Sequence, residues 1–172
     1  SKHANRTRSL YVDAAMMRQG PNSGAATLVN YGPDNTSYSE AWSFPVDQHN
    51  YIHCTLEVPA DEVAGGAFAV FIDWATDTDT NTAHNVRWYA KLSGLGDSNS
   101  IDGTVGVTSG NTVPVPYATA RQRKRTSLYS GVQTLVGRTL VLQINAARHE
   151  AADDATGAVL LLGVHVEYTS DE

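Results

Sequence analysis

The chain has 172 residues, carries 12 Lys and Arg against 18 Asp and Glu, and is 41% hydrophobic. This composition fits one folded domain and excludes a disordered, collagen-like or coiled-coil chain. No apolar run reaches the roughly 18 residues of a membrane span, so we expect no membrane partner. The single cysteine, Cys54, excludes an intrachain disulfide. We interpret it as a small core residue, with a reactive thiol as the alternative.

Positive charge is concentrated in two segments, 1–8 and 121–125, which contain no acidic residue. Their basic residues are Lys2, Arg6, Arg8, Arg121, Arg123, Lys124 and Arg125. The rest of the chain is strongly acidic, so both segments can attract a partner or a neighbouring copy. We therefore predict a flexible basic arm over residues 1–8, ahead of a single domain over 9–172. A frayed end and a solvated loop are the alternative, and nucleic acid is an unlikely partner because the acidic body repels phosphates.

Apolar and polar residues alternate along much of the chain, which predicts half-buried strands. The clearest segments are 51–58, 67–74, 85–92, 139–146 and 158–168, and weaker ones are 9–12, 26–31, 40–46, 103–107 and 126–130. Helical periodicity is confined to possible single turns near 13–17 and 59–64. The sequence therefore predicts an all-β fold, an antiparallel, jelly-roll-like β-sandwich of about 8–10 strands.

The phase of the alternation divides the large apolar side chains between two faces. Trp74 and Trp88 are in phase with the core positions of their strands, which predicts that both are buried. Phe71, Val159 and Leu161 fall on the opposite face, which should be wet. We infer that another subunit covers this face and predict a homo-oligomer, with cover by a loop of the same chain as the alternative.

No motif in the sequence indicates a particular catalytic reaction. The chain contains neither a G-x-S-x-G nucleophile elbow nor an H-E-x-x-H zinc motif, so we expect no enzyme and assign no cofactor. Asp77, Asp79 and Asn81 place three oxygen-bearing side chains at alternate positions, as hard cations require, but the rest of a calcium loop is missing. We assign no metal and leave open whether this loop holds an ion.

The succession of motifs over residues 40–168 resembles the jelly-roll-like β-sandwich virion proteins of tailed bacteriophages. The resemblance rests on Trp42-Ser43-Phe44-Pro45, Asp73-Trp74, Val86-Arg87-Trp88, the acidic turn Asp153-Asp154-Ala155-Thr156-Gly157 and the closing Leu161-Leu162-Gly163-Val164-His165-Val166-Glu167-Tyr168. It implies a non-enzymatic structural protein located in the virion and assembled in the host cytoplasm. It carries over no catalytic residue.

Within that family the resemblance favours a capsid decoration (cement) protein, often a homotrimer, that binds the major capsid protein or another virion protein. The alternative is a tail or fibre module that binds a receptor or a carbohydrate. A β-sandwich enzyme or lectin unrelated to viruses is a third interpretation. The basic arm departs from the family pattern, and the two basic segments with Phe71, Val159 and Leu161 are the candidate partner contacts.

Overall fold

The computed structural model describes residues 4–20, 26–32, 39–63, 65–95, 107–132 and 139–171. Within these ranges the chain forms one 3-10 turn, Ala14–Met16, and eleven strands. The strands are β1 Arg6–Asp13, β2 Arg18–Gln19, β3 Thr27–Tyr31, β4 Ser39–Phe44, β5 His49–Glu57, β6 Ala67–Thr76, β7 Asn85–Leu95, β8 Val107–Pro114, β9 Lys124–Val132, β10 Thr139–Ala147 and β11 Val159–Ser170. The expected all-β antiparallel architecture is confirmed.

The strands form two antiparallel sheets. Sheet one has the order β3-β4-β11-β6-β9, and β1 also pairs with β11, beyond the end of β4. Sheet two has the order β2-β5-β10-β7-β8. Residues 59–63 form a turn with one bridge, from Glu62 to Ser170, rather than the expected helical turn. Of the weak candidate at 103–107, only Val107 lies within the described residues.

The core lies between the sheets and is centred on aromatic rings. Trp74 from sheet one and Trp88 from sheet two are both 0% exposed, and their ring centroids are 5.6 Å apart. Phe44 packs edge-on against Trp88 at 5.5 Å. The prediction from strand phase is confirmed for both tryptophans, because alternating side chains of a strand enter the same layer.

A bulge in β11 changes the face on which its side chains lie. Leu161 pairs with Trp74 and Gly163 with Asp73, so Leu162 is an extra residue in β11. Such an insertion reverses the alternation beyond it. Val159 and Leu161 therefore face the core together with the later Val164 series, and both are 0% exposed. The expectation that they lie on an outer face is wrong, since strict alternation was assumed across the bulge.

The outer face of the same region is covered by the chain itself. Leu160 and Leu162 lie on that face, yet they are only 3% and 8% exposed. They form a second apolar cluster with Ala41 and Ala75, against which Val29 and Tyr31 of β3 pack. Of the three candidate contacts on this face, only Phe71 is outward-facing and half-buried, and its ring packs against His165 at 5.7 Å.

The acidic turn at 153–157 is held by a buried arginine. Arg148 donates hydrogen bonds to Asp153 and to the carbonyl oxygens of Phe44, Ala155 and Gly157, at 2.7 to 3.0 Å. The side chains of Arg148 and Asp153 are 0% and 1% exposed. A buried ion pair of this kind stabilises the turn, because opening the turn would leave each buried charge without its partner. The motif that carried the family resemblance is therefore structural.

Candidate functional site

The outward side of sheet two is a continuous polar and aromatic surface. In β5, β7 and β10 every second side chain enters the core, so the residues between them point outward. We call this outward set the polar face: Tyr51, His53, Arg87, Tyr89, Lys91, Gln143 and Asn145. The register places them in rows across the strands, and Gln143 lies between His53 and Lys91.

Asn145 lies at the centre of the polar face. It pairs with Tyr51 on β5 and with Tyr89 on β7, so the two tyrosine backbones lie about 10 Å apart on either side of it. Asn145 is 6% exposed, and its Oδ1 is buried without a hydrogen-bond partner. An unpaired buried acceptor costs about 1–3 kcal/mol. Within the described residues, Asn50 Oδ1 and Trp88 Nε1 are also buried without a partner, but both face the core, whereas Asn145 lies on the outward side of sheet two.

Two cations flank the Asn145 row. The Arg87 guanidinium lies 4.5 Å from the centroid of the Tyr89 ring, and Lys91 Nζ lies 5.6 Å from that of the Tyr51 ring. These are cation–π distances, which hold each charge close to its ring. The Tyr89 hydroxyl donates to the Glu150 carboxylate, with both oxygens at 3.2 Å. The row thus has an acceptor at its centre and positive charge on both sides.

A glycine on β8 fixes the position of Tyr89. Gly110 pairs with Tyr89, and a Cβ added to Gly110 would lie 2.5 Å from the tyrosine ring. No side chain larger than hydrogen fits there without displacing the ring. Glycine at position 110 therefore allows the Tyr89 ring to lie against the backbone of β8.

The basic segment 121–125 is largely neutralised by acids of its own chain. Arg123 and Arg125 both pair with Asp73, whose side chain is 0% exposed, and Arg125 Nε lies 2.8 Å from its Oδ1. Arg121 pairs with Asp77 at 2.8 Å. Burial alone would raise the pKa of Asp73, but the hydrogen bonds and charges of the two arginines outweigh it and lower that pKa below its ordinary value. Lys124 is half-buried on β9.

Residues 6–8 of the basic arm belong to strand β1. Arg6 pairs with Ser170 and Arg8 with Tyr168 in the β1–β11 ladder. The Arg8 side chain also donates to Ser170 at 3.1 Å and lies 3.3 Å from Asp61. The expectation of a loose arm is wrong at Arg6 and Arg8, because their backbone hydrogen bonds complete the edge of β11. Lys2 lies outside the described residues.

The Asp77–Asn81 loop uses its carboxylates to hold the chain together. Asp79 is 5% exposed, and its two oxygens accept hydrogen bonds from the backbone N–H groups of Asn81 and Thr156, at 2.8 and 2.7 Å. His84 Nδ1 lies 2.9 Å from the same carboxylate. These contacts lower the pKa of Asp79 against the effect of its burial, which raises it. Across the described ranges, no group of three or more His, Cys, Asp and Glu side chains is arranged to hold a metal ion.

Cys54 faces the core from β5. Burial raises the pKa of its thiol to about 11, so it is protonated at neutral pH. The interpretation of Cys54 as a buried core residue is confirmed.

Sequence reasoning did not identify Tyr51 and Asn145 as parts of a site. Both residues occupy outward positions in alternating segments, which is a visible signal. Their proximity depends on the register between β5, β10 and β7, and nothing in the local pattern specifies a register between strands so far apart in sequence. The unpaired Asn145 Oδ1 is visible only in three dimensions.

Comparison with known proteins establishes the fold. No family model matches the chain, and no curated protein matches it. Among solved structures, the exo-β-1,3-galactanase Pc1,3Gal43A of Phanerochaete chrysosporium, determined with galactose, has a TM-score of 0.55 at 8% identity. The match covers 92% of this chain and 29% of that enzyme, so the chain spans less than a third of its length.

Two further similar structures have lower TM-scores. TmCBM61, determined in complex with β-1,4-galactotriose, has a TM-score of 0.46 at 13% identity, with 93% of this chain and 91% of that chain covered. A protein of infectious bursal disease virus, strain Gt, has a TM-score of 0.42 at 13% identity, with 96% and 32% covered. The chain is a β-sandwich of the jelly-roll type. No helix in the described ranges is long and apolar enough to cross a membrane.

Proposed function

We propose that this chain is a non-enzymatic binding module that holds a saccharide on the polar face of sheet two. The observation that carries the proposal is the unpaired, buried Oδ1 of Asn145 between Tyr51 and Tyr89. Because Oδ1 is buried in the free protein, a ligand hydroxyl reaches it only when the side chains around it move, and it then gains the hydrogen bond that it lacks in the free protein.

The composition of the polar face favours a saccharide over a protein partner. Protein interfaces have an apolar core surrounded by a polar rim. Here the centre of the surface is itself polar, since Asn145 and Gln143 lie between aromatic and charged neighbours. Sugar hydroxyls both donate and accept hydrogen bonds, so one ring can satisfy an amide, a carboxylate and a cation together. A few polar groups in fixed positions are what a small-ligand site uses for orientation.

A glycan panel with matched variants tests the proposal. Asn145→Ala should abolish binding of any saccharide that the wild type retains. Asn111→Ala is the control, because Asn111 lies on β8 of the same sheet, outside the polar face, and donates to the Ser127 carbonyl oxygen at 3.3 Å. Equal loss in both variants, or binding unaffected by Asn145→Ala, would contradict a site centred on Asn145.

Capsid decoration is our second proposed function, and a specific surface feature favours it. Met16 and Leu28 are 72% and 39% exposed. Leu28 pairs with Trp42, and the Trp42 indole donates to the carbonyl oxygen of Ala14, two residues before Met16. Exposed apolar side chains in one region of the surface are typical of contact surfaces. Homotrimer formation and binding to a capsid protein belong to this proposal.

Co-sedimentation with a virion shell and light scattering test this second function. Met16→Ser with Leu28→Ser should reduce co-sedimentation and leave saccharide binding unchanged. A clean monomer that does not co-sediment would contradict it.

A further inference from the structure

We propose that the saccharide bound by the polar face is acidic, with a carboxylate or sulfate group beside its hydroxyls. This inference rests on the proposed saccharide-binding function and specifies the ligand class of the same site. It follows from the charges around Asn145.

The polar face is positively charged although the chain is acidic. The formal net charge of the whole chain is −6. Arg87 and Lys91 nevertheless lie on β7 to either side of the Asn145 row, and Arg18 pairs with His53 at the β2 edge of the same surface. Among the residues that the structure describes, Glu150 is the carboxylate near the side chains of this set, 3.8 Å from Arg87 Nε, and Asp153 accepts a hydrogen bond from the Arg87 backbone N–H. A local field opposite in sign to the net charge selects an anionic ligand.

Lys91 is the clearest of these cations. Of the contacts the described chain makes with it, the Tyr51 ring is the one that holds its ammonium group, and no described carboxylate pairs with it. An ammonium group has three donors. Its position over the ring leaves these donors for a ligand, whereas Arg87 already donates to Thr112 at 3.0 Å and stacks on Tyr89.

The distances between Asn145, Tyr89 and Lys91 fit a single ligand that carries both hydroxyl groups and an acid group. Asn145 lies opposite Tyr89, about 5 Å away across the strands, and Lys91 lies two residues along β7 from Tyr89, about 7 Å away. The Lys91 side chain reaches across β10, because its Nζ lies 5.6 Å from the centroid of the Tyr51 ring on β5. A sugar ring that lies on the row of Tyr51, Asn145 and Tyr89 can therefore direct an exocyclic acid group toward Lys91 Nζ. A neutral sugar would leave the ammonium group without a counter-charge.

The experiment compares polymers that differ only in charge. Isothermal titration with oligogalacturonate and with its carboxyl-reduced form presents the same backbone with and without the acid, and a sulfated chondroitin oligosaccharide tests the other acid group. We expect at least one acidic probe to bind roughly tenfold tighter than the carboxyl-reduced probe, since hydrogen bonds to charged groups are the stronger ones. The difference should shrink in high salt.

Variants assign the preference to Lys91. Lys91→Met keeps the aliphatic stem and should remove most of the acid preference, Lys91→Arg should keep it, and Lys124→Met on sheet one should not change it. Equal affinity for the acidic and reduced probes would overturn this inference and leave the proposed function intact. Binding of none of the probes or of the glycan panel would overturn both. Equal binding of polyglutamate or single-stranded DNA would overturn the inference by showing attraction to any polyanion.

Discussion

Replacing Asn145 by leucine should stabilise the free protein and abolish its binding. Leucine has nearly the same shape as asparagine and carries no acceptor that needs a partner. Asn145 is 6% exposed, so its unpaired Oδ1 is shielded from water as well as from protein donors. Removing such an acceptor recovers up to about 1–3 kcal/mol. Part of the leucine side chain is exposed to water, which offsets some of this gain. We therefore expect Asn145→Leu to raise the free energy of unfolding by about 1 kcal/mol.

Thermal and urea unfolding measure the effect. For a domain of this size, about 1 kcal/mol raises Tm by roughly 2–4 °C. Asn111→Leu is the matched control, since it removes a hydrogen bond that Asn111 makes to Ser127 and should not stabilise the protein. If Asn145→Leu lowers the free energy of unfolding by 1 kcal/mol or more, Asn145 is stabilising in the free protein and the argument for a site fails.

Three further predictions concern the framework around the site. Arg148→Met should lower the free energy of unfolding by about 3–5 kcal/mol in urea titrations, because it leaves buried Asp153 unpaired; a loss below 1 kcal/mol would contradict this role. The lowered pKa of Asp73 stabilises the folded state above the ordinary Asp pKa, and this contribution disappears as pH falls through the folded value. The stability advantage of the wild type over Asp73→Asn should therefore vanish in acid, and an advantage that persists at pH 2 would refute the assignment. Deleting residues 1–8 should lower Tm because it removes the first three pairs of β1 with β11, whereas deleting residues 1–5 should leave Tm unchanged. Equal Tm values for the two deletions would contradict this role of residues 6–8 and support the expectation of a loose arm.

The fold could be predicted from sequence because it depends on a local signal. Alternation identifies strands and their buried faces, and it placed Trp74 and Trp88 in the core. The same rule failed at β11, since the extra residue Leu162 reverses the phase and no local pattern marks a bulge. Extending the rule across the bulge moved Val159 and Leu161 to the wrong face.

The candidate site could not be predicted because it depends on long-range pairing. The basic segment 121–125 is conspicuous in sequence, yet Asp73, about fifty residues earlier, neutralises two of its arginines. Conversely, Tyr51, Tyr89 and Asn145 are inconspicuous until the register brings them together. A run of charged residues shows only the local composition, whereas a binding site depends on which residues the strand register brings side by side in the sheet.

The most direct test of a ligand site on sheet two is the mapping of amide chemical shifts during titration with the tightest-binding saccharide from the panel. We predict that the amides of β5, β7 and β10 around Tyr51, Tyr89 and Asn145 shift in a saturable manner, while those of β6 and β9 on sheet one stay unchanged. Shifts centred on sheet one, or on the turn beside Trp42, would contradict a ligand site on the polar face.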